Sequence, residues 1–197
     1  MQFFGFEMAF SEDVYVPRED TYLMVRAIRE EIEEEDRVLD MGTGSGILAL
    51  IASEVCEQVV GVDINESAVE LAEKNASANG LENIEFIKSD LFQDVDGEFD
   101  LIVFNAPYLP PSESHEGLIG SEQWLGGESG TEIVSRFSDE AMNHLSEDGK
   151  ILLMVSSLTG LDDVMAILED VGFVSEVKDE EKIPWETLYV VKASRTG

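Results

Sequence analysis

The chain has 197 residues, 44% of them hydrophobic, which suits one compact domain with its own core. Its single cysteine, Cys56, excludes a disulfide framework, and with only His115 and His144 as histidines a zinc site is hard to assemble from its own ligands. The charge is extreme, 43 acidic residues against 12 basic for a net −31, and it is dispersed through the chain instead of gathered in a tail. Dispersed carboxylates suggest adaptation to high salt, where screening suppresses self-repulsion. Global acidity therefore does not exclude a nucleic-acid partner.

The apolar start, residues 1–10, is interrupted by Glu7 and lacks the basic residues that open a secretory signal. No run nears the roughly 18 apolar residues of a membrane helix, so a cytoplasmic protein is expected. Residues 21–33 have helical periodicity, with Leu23, Met24, Ala27 and Ile28 apolar. Arg37–Met41 reads as a short buried strand, followed by a glycine turn at 42–46 and an apolar helix over 47–55, with Cys56 beside Val55 as a buried small hydrophobe. Residues 59–63 predict a second strand and 66–79 a helix stopped at Asn79-Gly80. Residues 84–87 and Phe99–Phe104 predict the third and fourth strands, and 105–130 is polar and glycine-rich. A helix over 131–145, a strand over 150–156 and a helix over 161–171 follow. Residues 173–177 and 187–192 predict two last strands joined by the charged run 178–182 and Ile183-Pro184. Strands alternating with helices predict an α/β fold with a mostly parallel, Rossmann-like sheet of seven strands, helices on both faces and a C-terminal antiparallel hairpin. One domain over 1–197 is expected, with residues 1–36 as an N-terminal segment and helix that complete its pocket.

Three acidic or glycine-rich sites fall at the ends of successive strands. The turn Asp40-Met41-Gly42-Thr43-Gly44-Ser45-Gly46 lets a ligand approach backbone closely. Asp63 is placed to accept bonds from ribose hydroxyls. In Ser89-Asp90-Leu91-Phe92, Asp90 can take the exocyclic amine of adenine with Leu91 against the ring. Sites at the carboxyl ends of neighbouring parallel strands share one crevice. The spacing is G-x-G-x-G, unlike the usual G-x-G-x-x-G of nicotinamide folds, and no basic residue stands at the turn to meet a pyrophosphate. This set resembles the class I S-adenosylmethionine-dependent methyltransferases over nearly the whole chain. The resemblance implies Gly42, Gly44, Gly46, Asp40, Asp63, Asp90 and Leu91 as cofactor residues, with Asp40 either contacting the cofactor's amino group or orienting the loop.

After the fourth strand comes Asn105-Ala106-Pro107-Tyr108, similar to the (N/D)-P-P-Y signature of methyltransferases acting on planar amino groups. An amide or exocyclic amine is a poor nucleophile because its lone pair is delocalised. The Asn105 side-chain oxygen and the carbonyl of Ala106 can accept its two N–H bonds and favour the developing positive charge. Tyr108 can stack on the planar group and Pro107 stiffens the turn. Alanine replaces the signature's proline at 106, a position whose role is a backbone carbonyl.

A narrower resemblance concerns the substrate. Tyr15-Val16-Pro17-Arg18-Glu19-Asp20-Thr21 is similar to the Y-x-P-x-E-D-T segment of HemK-type protein-glutamine methyltransferases. Trp124-Leu125-Gly126-Gly127 through Gly130 resembles that family's W-x-G-G-x-x-G. The matching branch is the short archaeal and eukaryotic one, which modifies the Gly-Gly-Gln loop of class I release factors. It implies that Thr21 helps bind the cofactor, a role compatible with Asp20 or Thr21 capping a helix. It also implies a heterodimer with a small zinc-ribbon activator subunit, for which the strand at 84–87 and the apolar Phe3-Phe4-Gly5-Phe6 are candidate contacts. The alternatives are methylation of nucleic-acid amino groups and of protein lysine. Between Pro107 and Gly130 there is no lysine or arginine, against Glu113, Glu116, Glu122 and Glu128, which disfavours a phosphate-bearing substrate. A lysine needs deprotonation, and Asn105 suits an amide better. A non-catalytic scaffold and a nicotinamide oxidoreductase are disfavoured by Asn105 and Tyr108 and by the loop spacing.

Overall fold

The computed structural model describes residues 1–105 and 131–196. A seven-stranded sheet runs in the order β5-β4-β3-β6-β7-β9-β8, flanked by helices on both faces. Its strands are β3 (Arg37–Met41), β4 (Gln58–Asp63), β5 (Ile84–Lys88), β6 (Phe99–Phe104), β7 (Leu145–Ser156), β8 (Phe173–Ile183) and β9 (Glu186–Arg195). β3 through β7 pair in parallel, whereas β9 enters antiparallel between β7 and β8. The mostly parallel sheet with its terminal hairpin is thus the architecture expected from the sequence. A separate two-strand hairpin, β1 (Gln2–Phe3) and β2 (Phe6–Glu7), opens the chain.

Side-chain alternation divides the core between the two faces of the sheet. Val38, Leu101, Val103, Leu152 and Met154 face α1 (Glu19–Glu31) and α2 (Ile47–Ser53). Leu39, Met41, Ile102, Phe104 and Leu153 face α4 (Glu132–Ala141) and α5 (Leu161–Asp170). The chain runs outward from β3 to β4, through α3 (Glu66–Ala78), to β5, then returns to lay β6 on the other side of β3. That reversal opens a crevice at the carboxyl ends of β3 and β6. Among the described residues no helix is long and apolar enough to cross a membrane.

The helix predicted over 131–145 ends at Ala141, and β7 begins at Leu145 instead of Lys150. Ser146-Glu147-Asp148-Gly149 looks like a turn in sequence. Here Leu145 pairs with Phe99 and a register shift before Leu101↔Lys150 absorbs the extra residues, with Ser146 Oγ donating to Asp100 at 2.7 Å. The charged run 178–182, predicted as a connection, is the second half of β8. Pairing with β9 extends to Ile183↔Glu186, so only Pro184-Trp185 turns the chain. α1 starts at Glu19, two residues earlier than expected, and α2 stops at Ser53, leaving the buried Cys56 beyond it.

Ion pairs fix the charged run to α1. Arg26 bonds Asp179 at 3.0 Å and Glu181 at 3.1 Å. The nearly buried Glu31 receives Lys178 at 2.6 Å and Lys192 at 2.7 Å, with Lys150 at 3.8 Å. Burial pushes the Glu31 carboxyl up, but the bonds from Lys178 and Lys192 outweigh it and hold it below its usual range. Three of the chain's 12 basic residues are spent on one carboxylate. Removing its charge takes the carboxylate from Lys192 and leaves Lys178 and Lys150 with only the exposed Glu30 and Glu33, so Glu31→Gln is expected to lower the unfolding free energy by about 2 kcal/mol at neutral pH. Urea unfolding of the two proteins at one salt concentration checks this.

Candidate active site

The crevice at the carboxyl ends of β3, β4 and β6 holds a cavity of about 280 Å³. Val14, Tyr15, Asp20 and Thr21 line one side, and Gly42, Thr43 and Gly44 the floor. Asp63, Asp90, Leu91, Phe104, Asn105 and Arg136 complete the circuit. Of the site residues named from sequence, Thr21, Gly42, Gly44, Asp63, Asp90, Leu91 and Asn105 therefore meet at one cavity. Ala106, Pro107, Tyr108 and the stretch 123–130 lie outside the described residues.

The glycine turn has positive φ at Gly42 (68°), Gly44 (54°) and Gly46 (83°), a backbone that side chains resist. At Gly46 there is a second reason. A Cβ there would sit 3.0 Å from that of Ala72, where α2 meets α3. Gly46 thus lies at the N-terminus of α2, outside the cavity lining.

Asp40 is also absent from that lining and is 1% exposed. Its Oδ2 accepts from Thr43 Oγ1 at 2.7 Å and from the Ala49 N–H at 3.1 Å, which is the geometry of a residue that orients the loop. Its Oδ1 is buried with no hydrogen-bond partner among the described residues. Burial raises this carboxyl to about 7, opposed by the bonds from Thr43 and Ala49 and assisted by the charge of Asp63.

Asp63 turns toward the cavity floor. Its Oδ2 accepts the Gly44 N–H and its Oδ1 the Asn65 N–H, each at 2.9 Å. Burial raises its pKa as well, against those N–H bonds. Asp90 pairs with Arg136 of α4 at 2.9 Å. The next residue, Leu91, has φ 51° and is buried against the core.

The N-terminal segment closes the opposite wall. Arg18 is the N-cap of α1 and makes no side-chain capping bond; the Asp20 side chain takes up a first-turn N–H, that of Thr21, instead. Asp20, 3% exposed, takes a hydrogen bond from the Tyr15 hydroxyl, which lies 2.8 Å from both carboxylate oxygens. It also accepts the Thr21 N–H at 2.6 Å and Asn105 Nδ2 at 3.1 Å. Asn105 Oδ1 is left buried without a partner among the described residues. Asp20 and Arg136 are among the lining residues that sequence reasoning did not assign. Asp20 stood inside the quoted Tyr15-to-Thr21 motif, whereas Arg136 has no sequence signal and is placed by α4.

Known proteins are similar to this chain in sequence and fold. The methyltransferase small domain family profile matches residues 9–184. The chain belongs to the methyltransferase small domain family. A Methanocaldococcus jannaschii relative, described as a protein N5-glutamine methyltransferase, is 38% identical over 97% of this chain and 96% of its own length. The release factor glutamine methyltransferase of Lactococcus lactis is 34% identical over 86% of this chain, which spans 65% of that longer protein. Among solved structures, the E. cuniculi Mtq2-Trm112 complex, which methylates the termination factor eRF1, matches with TM-score 0.73 and 30% identity over 93% of this chain and 99% of that one. Within this methyltransferase family, S-adenosylmethionine is the implied methyl donor.

The residues present fit that donor. The cavity carries Asp20, Asp63 and Asp90, and its one cation among the described residues, Arg136, is tied to Asp90. Such a lining suits a cationic ligand without phosphates. The glycine floor presents backbone in place of side chains.

The buried Asp40 predicts a pH effect. Its folded-state pKa lies above that of the unfolded chain, so the stability it contributes is present below about pH 4 and is lost as pH rises through about 7. Asp40→Asn stays uncharged. The melting temperature of the variant relative to wild type is expected to climb between about pH 4 and 7 and level off above it, by an amount equivalent to a few kcal/mol. Parallel melting curves across that range would contradict the assignment.

Proposed function

We propose that this chain transfers a methyl group from S-adenosylmethionine to the side-chain amide nitrogen of a glutamine, the one in the Gly-Gly-Gln loop of a class I release factor. The observation that carries it is the buried Oδ1 of Asn105 at the carboxyl end of β6, which has no hydrogen-bond partner among the described residues. An acceptor left unsatisfied there costs about 1–3 kcal/mol, and an N–H of the incoming amide offsets that cost. The names of the relatives at 38% and 34% identity support glutamine as the acceptor.

The cofactor roles follow the cavity. Asp63 accepts ribose hydroxyls, Asp90 and Leu91 bound the base, and Thr21 and the backbone of Gly42 and Gly44 line the rest. Asp40 and Gly46 act one layer back, holding the turn and its helix. Bound there, the donor supplies an electrophilic methyl group. Asn105 holds the amide nitrogen with its lone pair available and favours the positive charge that develops on it. The nitrogen forms its bond to the methyl carbon as the carbon–sulfur bond of the donor breaks and S-adenosylhomocysteine leaves, and it releases its proton to water afterwards, so no strong base is required beforehand. By the motif, the Ala106 carbonyl is the second acceptor, Tyr108 the stacking ring and Pro107 the stiffener. Residues 1–197 serve as one domain in this reading.

The same proposal includes a small zinc-ribbon activator as a partner in the cytoplasm. Support comes from the E. cuniculi neighbour being a complex. β5 is the end strand of the sheet, beside a second cavity of about 450 Å³ lined in part by Ala76, Leu81 and Phe86. An open strand edge is a ready site for pairing. The alternative contact, Phe3 and Phe4, is occupied in part by edge-on packing with Phe10 and Tyr22.

The test is transfer of labelled methyl at molar salt to an archaeal release factor and to its Gln→Ala version, with and without the activator. Label on the first protein alone supports the reading, and label on neither, with RNA labelled in parallel, overturns it. In the same assay Asn105→Ala is expected to lose about 10²- to 10³-fold in kcat. Calorimetry should show its cofactor Kd within about threefold of wild type.

A further inference from the structure

We infer that Asp20 is a positioning residue that fixes which end of the Asn105 amide meets the substrate, a consequence for catalysis that rests on the glutamine reading above. The oxygen and nitrogen ends of an asparagine side chain have nearly the same shape but opposite hydrogen-bonding character. A substrate amide N–H needs the oxygen end. If the side chain flipped, Asn105 would present a second donor to a donor and the nitrogen would not be held.

The surroundings of Asn105 select one orientation. An ionised carboxylate only accepts hydrogen bonds, and Asp20 Oδ2 lies 3.1 Å from Asn105 Nδ2. A flip would set the carbonyl oxygen of Asn105 against that carboxylate, exchanging a charge-assisted bond for a repulsion between two acceptors. Asp20 is itself immobilised by the Tyr15 hydroxyl, by the Thr21 N–H and by Thr21 Oγ1 at 3.2 Å. The result is the arrangement observed, with Nδ2 engaged and Oδ1 without a partner among the described residues. The nearby negative charge also polarises the amide, raising the acceptor strength of Oδ1 toward a nitrogen that becomes positive. Asp20 and Asn105 stand 85 residues apart, so α1 must dock before the acceptor is oriented.

The experiment is a double-mutant cycle in the release-factor assay, joined to NMR of the Asn105 side-chain amide in the whole protein. Asp20→Ala is expected to lose about 10- to 100-fold in kcat. In the Asn105→Ala background the same change should cost no more than about threefold, because a residue that works through Asn105 has nothing left to position. Asp20→Asn keeps the shape without the acceptor-only character. It serves if the alanine variant does not fold, with an expected loss of about tenfold. In wild type the two Asn105 amide protons should exchange slowly with solvent, and exchange should accelerate in either variant.

Losses that multiply in the double mutant overturn the inference, as do unchanged Asn105 exchange rates in the Asp20 variants. Equal labelling of the Gln→Ala release factor would overturn the glutamine reading alone. The exchange measurement would then still decide whether Asp20 holds the Asn105 amide.

Discussion

Strands β3 and β6 lie side by side in parallel, registered from Val38↔Leu101 to Met41↔Phe104. Every other feature of the site depends on that pairing. It brings the glycine turn after Met41 and the Asn105 after Phe104 to the same rim of the sheet, although more than sixty residues separate them in the chain. Parallel strands put all their carboxyl ends on one side, so Asp63 after β4 and Asp90 after β5 arrive there too. The chain reversal between β3 and β6 leaves a gap in the helix cover, and the cavity occupies it.

Two kinds of buried or half-buried carboxylate then divide the labour. Asp40 and Asp63 brace the turn from beneath and from the side by accepting its N–H and hydroxyl groups. Burial raises both, and in Asp40 the cost is partly unmet because one oxygen has no partner among the described residues. Asp20 is different. Its oxygens take bonds from Tyr15, Thr21 and Asn105, so it joins the N-terminal segment, α1 and the end of β6. A site that must hold a neutral amide beside a cationic donor benefits from fixed negative charge at its wall and from an acceptor whose direction is not free.

The far side of the molecule shows how so acidic a chain stays folded. Several of its few lysines and arginines gather around the buried Glu31 and where β8 lies near α1. Most other acidic side chains point to water, where screening by salt weakens their mutual repulsion.

Local pattern in the sequence determined most of the elements and the chemistry of the motifs. Glycines at alternate positions demand the turn, apolar runs demand β3 and β6, and Asn105 with Tyr108 resembles a signature for planar nitrogens. These signals sit within a few residues of one another, so they survive without knowledge of the fold. The tertiary structure decided what depended on partners distant in sequence. Leu145–Ser156 and Phe173–Ile183 became long strands because Phe99 and β9 were there to pair with them, against a polar, charged sequence that reads as turn. Asp40 fell behind the turn and outside the cavity because Thr43 and Ala49 hold its carboxylate. The bond from Asn105 to Asp20 was invisible in either motif alone, since the direction of an amide is set by the group it meets in space.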